Sequence, residues 1–120
     1  HRDRSVKMVF VINQELKMGK GKTAAQVGHG AVKATLKSGE VRPELLDAWL
    51  STGQKKICVK ADDANVLKRI EKQAKQDGVL TTTIHDAGHT QIPAGSLTVL
   101  VLGPDEESKL DTITGQLKLL

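Results

Sequence analysis

The sequence contains no tyrosine, one phenylalanine and one tryptophan among 120 residues. It cannot build the platform of stacked aromatic rings that many single-strand RNA readers use. Cys58 is its sole cysteine, which excludes an intramolecular disulfide and a cysteine-built metal cage. Set in an apolar strand pattern, Cys58 reads as a buried, inert thiol. No run reaches the roughly 18 apolar residues of a membrane span, so no membrane contact is expected from these residues. The start shows no signal-peptide pattern. It begins at His1 rather than a methionine, so an upstream segment stays open.

What is present is enough for a core: 38% hydrophobic and 27% charged residues suit a folded domain and not a disordered tract. The formal net charge of +4 is unevenly placed. Between Glu15 and Lys37, five lysines (Lys17, Lys20, Lys22, Lys33, Lys37) face one acid, Glu15, and the rest of the chain is close to neutral. An excess confined to one segment points to an anionic partner there.

The pattern of elements reads β-α-α-β-α-β-β-α. Residues 6–12 are a nearly continuous apolar run, as in a buried central strand. A glycine-bearing loop follows, and Thr23 is a plausible N-cap for a small-residue helix over 23–37, ended by Ser38-Gly39. Pro43 opens a short helix to residue 50. A strand over 56–60 leads to a helix capped by Asp62 and ended near Asp77-Gly78. Residues 79–85 and 97–102 are strands separated by a loop, and Gly103-Pro104-Asp105 turns into a last helix over 106–113. Residues 116–120 add a short edge segment. Crossover helices between strands imply α/β: three layers, α/β/α, around a four-stranded mixed, mostly parallel sheet with one antiparallel member. A single domain over 1–120 is expected, with 1–5 a disordered start.

Two loops carry candidate chemistry. The first strand, its glycine loop and the following helix form an anion site at the strand's carboxyl edge. Gly21-Lys22-Thr23 looks like the tail of a nucleotide-binding P-loop, but Leu16 stands where the first glycine is required. A solvated lysine loop is the plain alternative. Lys22, Gln26, His29 and Lys33 fall on one helical stripe, which could present a cation, an amide and an imidazole to one ligand. His29 as an ordinary surface or core histidine is equally open on spacing alone. In the second loop, Asp86 ends an apolar strand, where α/β folds place functional groups; an Asp that merely turns its loop is the alternative. His85, Asp86 and His89 suggest a metal, yet His85 and Asp86 have opposite strand parity and no third imidazole or thiolate is near, so no metal and no cofactor are expected.

These residues resemble the archaeal and eukaryotic (type 2) peptidyl-tRNA hydrolases. The resemblance is carried by Lys17-Met18-Gly19-Lys20-Gly21-Lys22 with Ala24-Ala25-Gln26 and His29, by Gly53-Gln54-Lys55-Lys56, by Asp86-Ala87-Gly88 with Thr90-Gln91-Ile92, and by Gly103-Pro104 and Thr114-Gly115. It runs from Lys7 to the C-terminus. It implies cleavage of the ester between a nascent peptide and the 3′-terminal ribose of tRNA, which recycles prematurely released tRNA, without a metal. Carried over residue by residue, it implies Lys22, Asp86 and Thr90 as the catalytic set. Lys17, Lys20, Gln26, His29, Lys33, Gln91 and Thr98 follow as substrate-binding neighbours. Lys37, Lys55 and Lys56 are further candidates for tRNA phosphates. Asp86 would activate water, with Thr90 as its hydrogen-bonding partner, and Lys22 stabilise the oxyanion; an Asp86 that only positions Lys22, or His29 as base, are the alternatives. Gly28 and Gly30 stand where slightly larger small residues are expected. The partner implied is peptidyl-tRNA; a homodimer is left open. A cytoplasmic location is expected, with a mitochondrial or membrane-anchored one, through a segment before His1, as the alternative. Non-catalytic tRNA or protein binding and nucleotide binding remain the rival classes.

Overall fold

A computed structural model describes residues 5–88 and 92–120. Four strands, β1 (Val6–Asn13), β2 (Lys56–Ala61), β3 (Thr81–His85) and β4 (Leu97–Glu106), form one sheet in the order β2-β1-β4-β3. β1 and β2 are parallel, whereas β4 runs antiparallel to both β1 and β3. The sheet is therefore mixed but not mostly parallel. The expected antiparallel strand lies in the middle, so it creates two antiparallel pairings instead of one. Because β1, β2 and β3 all point the same way, their carboxyl ends share one edge with the start of β4.

Helices α1 (Lys20–Val41) and α2 (Pro43–Ser51) cover one face; α3 (Ala64–Gln76) and α4 (Glu107–Thr114) cover the other. The alternation of β1 feeds both cores, as a pleated strand must. Met8, Phe10 and Ile12 pack beneath α1 and α2 with Trp49, Val99 and Val101. Val9 and Val11 pack with Leu67, Ile70, Leu100, Leu110 and Ile113 on the opposite side. This is the three-layer arrangement the pattern of elements implies.

Several boundaries move. α1 begins at Lys20, not Thr23, and continues through Ser38-Gly39 to Val41. Ser38 is fully buried and its hydroxyl donates to Thr35 O at 3.0 Å, so it bonds back into the helix instead of ending it. Asp63, not Asp62, caps α3, accepting from Val66 N at 3.0 Å. β4 runs on through Gly103-Pro104 to Glu106, and the tail meets β2 at a single bridge, Val59 to Leu119. Cys58 is half-buried under the α1 side of the sheet, and burial pushes its thiol pKa up.

β3 is an edge strand, a position that invites unwanted pairing. Two lysines of α1 cover it: Lys33 Nζ donates to Thr83 O at 3.0 Å and Lys37 Nζ to Thr81 O at 2.6 Å. Trp49 Nε1 donates to Lys55 O at 2.9 Å, fixing α2 at the starting end of β2.

The two glycines around His29 differ in what they do. A Cβ on Gly30 would lie 2.7 Å from Val101 Cγ2 and 3.5 Å from Ile84 Cγ1, whereas one on Gly28 would meet nothing within 4 Å. Val101 is β-branched and fully buried, so it has no room to retreat. Gly30→Ala is expected to cost about 1–3 kcal/mol by overpacking. Gly28→Ala should instead gain roughly 0.5–1 kcal/mol of helix propensity. Denaturant unfolding of the two variants, compared at equal m-value, checks both signs.

Candidate active site

The strongest local constraint at the carboxyl edge is on Asp86. Its backbone N–H donates to Ser96 O and its carbonyl accepts from Gly95 N, both at 2.9 Å, so the two ends of the loop are stapled together at this residue. Its Oδ2 accepts from Gly88 N at 2.8 Å. Gly88 holds φ +90, and a Cβ there would approach Ala94 Cβ to 3.0 Å, which accounts for glycine at this point of the turn. Asp86 Oδ1 receives the Lys22 ammonium in an ion pair across 64 residues of sequence. The side chain of Asp86 has no solvent exposure, and that of Lys22 has 22%. Asp86 therefore both turns its loop and anchors the lysine.

Lys22 owes its position to the early start of α1. Gly19 is the N-cap and, having no side chain, makes no side-chain hydrogen bond to the first-turn N–H groups. A helix beginning at Lys20 puts Lys22 on the flank that faces β3 and β4. One turn further, Gln26 is buried, and Thr98 Oγ1 donates to its Oε1 at 2.6 Å, with Ile84 O a second acceptor at 3.0 Å. Asn13 closes the base of the site: its Nδ2 donates to Leu97 O at 2.9 Å, tying the end of β1 to the start of β4.

The predicted stripe is thus split. Lys22 and Gln26 turn inward to Asp86 and Thr98. Lys33 reaches the β3 edge instead, and His29 is exposed, with no hydrogen bond or ion pair among the described residues. Lys17 and Lys20 are exposed on the rim and are likewise unpaired among the described residues. Lys17 takes a left-handed φ of 49 at the end of the 3₁₀ turn Gln14–Leu16. Lys55 is paired with Glu107 at 3.0 Å, and Lys56 lies 5.1 Å over the Trp49 ring. His89, Thr90 and Gln91 lie outside the described residues. His85 is exposed and Asp86 buried, as their opposite parity requires. Among the described residues, no three His, Cys, Asp or Glu side chains are grouped so as to hold a metal ion.

The fold and its edge site define an α/β/α protein with a part-buried Lys–Asp pair at the carboxyl ends of three co-directional strands. The same fold occurs in a solved protein of unknown function from Agrobacterium tumefaciens, with TM-score 0.66 at 13% identity over 100% of this chain and 99% of that one. The protein-family model described as "Peptidyl-tRNA hydrolase PTH2" matches residues 6–120. A peptidyl-tRNA hydrolase of Methanocaldococcus jannaschii is 45% identical over 96% of this chain and 100% of its own length. One from Thermoplasma acidophilum is 43% identical over 95% and 97%. The human protein named "Peptidyl-tRNA hydrolase 2, mitochondrial" is 46% identical over 94% of this chain and 63% of its own length. The chain belongs to the PTH2 family of peptidyl-tRNA hydrolases.

Removing one member of a buried pair strands the other's charge. Lys22→Ala is expected to destabilise by about 2–4 kcal/mol, at the lower side of the buried-pair range because Lys22 keeps some contact with water. Asp86→Asn retains an oxygen for Gly88 N and should cost less. In the double variant the two losses should fall short of their sum, since no carboxylate is left unpaired. Thermal or denaturant unfolding of the four proteins measures this; strict additivity would mean the pair contributes nothing.

Proposed function

We propose that this chain hydrolyses the ester joining a nascent peptide to the 3′-terminal ribose of tRNA, by direct attack of water and with no step routed through a metal. The observation that carries the reading is the Lys22–Asp86 pair, held at the open start of α1 in a chain of this family. Ester hydrolysis needs a water molecule that loses a proton, a counter-charge for the tetrahedral oxyanion, and a proton for the ribose oxygen that leaves. Lys22 supplies the counter-charge, aided by the N–H groups of the first turn of α1. Asp86 takes the proton from the attacking water and returns it to the ribose oxygen as the C–O bond breaks. Thr90 orients that water and Gln91 lies beside the substrate, both assigned through the resemblance. Thr98 donates to Gln26 Oε1, which supports the wall behind Lys22 and leaves the Gln26 amide N–H groups for the substrate.

A second reading is favoured by the complete burial of the Asp86 carboxylate behind Lys22. In it Asp86 never meets water and only fixes the ammonium, so Lys22 alone among the pair touches substrate. The readings part in kinetics. An Asp86 proton carrier requires Asp86→Asn to lose at least about a hundredfold in kcat, comparable to Lys22→Ala. A positioning Asp86 allows a much smaller loss in the Asn variant than in Lys22→Ala.

Peptide release from a defined peptidyl-tRNA, in EDTA, tests the reaction itself. Full activity is expected there. Turnover that stays within severalfold of wild type in both variants would remove this assignment.

The tRNA body is read through phosphates, and the free rim cations Lys17 and Lys20 are the main contacts. His29 stands exposed on the same helix, and Lys33, though committed to Thr83 O, keeps further N–H donors for a phosphate. Binding should weaken with salt, and Lys17→Ala or Lys20→Ala should each flatten the slope of log K against log salt by roughly 0.7–0.9. Titration of uncharged-end tRNA at several ionic strengths reads this directly.

A further inference from the structure

A cavity of about 380 Å³ opens on the side of α1 turned away from Lys22. Its walls come from three distant parts of the chain: Met18, Ala24 and Val27 beside α1, Cys58 from β2, and Leu120 from the tail. The tail is fastened there, since Leu120 N donates to Cys58 O at 3.1 Å. Two polar side chains border it. Thr23 Oγ1 is committed to Met18 O at 3.5 Å, and Lys20 is exposed. The space lies within the range that small ligands fill, roughly 300–1,000 Å³.

The cavity and the ion pair share the first turns of one helix. Lys20, Thr23, Ala24 and Val27 sit roughly 100–200° around the axis from Lys22, so a ligand touching both must cross the helix start. That crossing is bare. Gly19 and Gly21 form it, and a Cβ at either would meet nothing within 4 Å. Neither glycine holds a left-handed φ, so backbone conformation does not demand them. Gly21 in a helix gives up about 1 kcal/mol relative to alanine with no packing return. A surface kept clear for another chain to lie across it accounts for both.

We propose that this cavity is a subsite for the nascent peptide, taking an apolar side chain a few residues upstream of the scissile ester. The inference rests on the reading of the chain as a peptidyl-tRNA hydrolase. A helix with its side chains is about 10–12 Å wide, and an extended peptide advances about 3.3–3.6 Å per residue. The side chain that reaches the cavity is therefore about the third from the ester. The walls fit a peptide better than the terminal adenine. They contain no aromatic ring on which a base could stack. Methionine and other aliphatic walls accept many side-chain shapes, so the subsite favours apolar residues without reading sequence.

The test is a series of N-acetyl-tetraglycyl-tRNA substrates in which one glycine at a time becomes leucine. Leucine about three residues from the ester should raise kcat/KM about five- to tenfold, through KM, as one apolar side chain leaves water. Filling the cavity with Ala24→Phe should bring the leucine-to-glycine ratio close to one. An equal kcat/KM across the wild-type series overturns the subsite while leaving the hydrolase reading intact. Failure of the wild-type chain to release peptide from any of these substrates overturns the hydrolase reading. The cavity is then judged by methyl NMR alone, with N-acetyl-Leu-Gly-Gly amide as the probe. Shifts at Met18, Val27 and Leu120 that saturate with the peptide support an apolar peptide site. Shifts produced by adenosine instead, or by raising the protein concentration alone, assign the cavity to the tRNA end or to a second copy and overturn the proposal.

Discussion

The close seat of α1 on β4 positions everything at the carboxyl edge. Gly30 has no side chain, so the helix settles onto Val101 and Ile84 and its register relative to the sheet is fixed. Two turns back along that axis, Lys22 meets Asp86; one turn back, Gln26 meets Thr98. Were the helix pushed outward by the width of a methyl group, both contacts would lengthen together. A site made by residues 64 positions apart thus depends on an apolar contact well away from any charge.

Asp86 shows why the structural and chemical readings of one residue need not compete. Its backbone closes the loop between β3 and β4, and its carboxylate draws both Gly88 N and the Lys22 ammonium. Donors such as these offset the desolvation of a fully buried carboxylate. The same burial hides the oxygens from solvent, which is the reason a positioning role for Asp86 competes with proton transfer.

Much of this was legible in the residues. The apolar run of β1, the order of helices and strands, and the joint presence of Lys22 and Asp86 pointed to the arrangement found, whereas the caps expected at Thr23 and Asp62 lay off the observed helix starts. What was illegible was non-local. Nothing in the order of elements states that β4 inserts between β1 and β3, so the sheet read as more parallel than it is. Gly19-Lys20-Gly21 reads as loop on propensity, yet α1 extends back through Lys20, with Thr23 N donating to Gly19 O at 2.9 Å. Lys33 and Lys37 read as free cations, because no local pattern marks a lysine that will cover the carbonyls of a strand 44–50 residues away. The apolar cavity had no sequence signal at all, since Met18, Cys58 and Leu120 are neighbours only after folding.

Trp49 is the only tryptophan, and its buried indole is hydrogen-bonded to Lys55 O just before β2 begins. That places the molecule's dominant fluorophore at the end of the sheet opposite the Lys22–Asp86 pair. Its emission is a built-in gauge of whether α2 is docked, largely blind to what occupies the carboxyl edge. Unfolding can therefore be followed by that emission whether or not the carboxyl edge is occupied, without adding a dye.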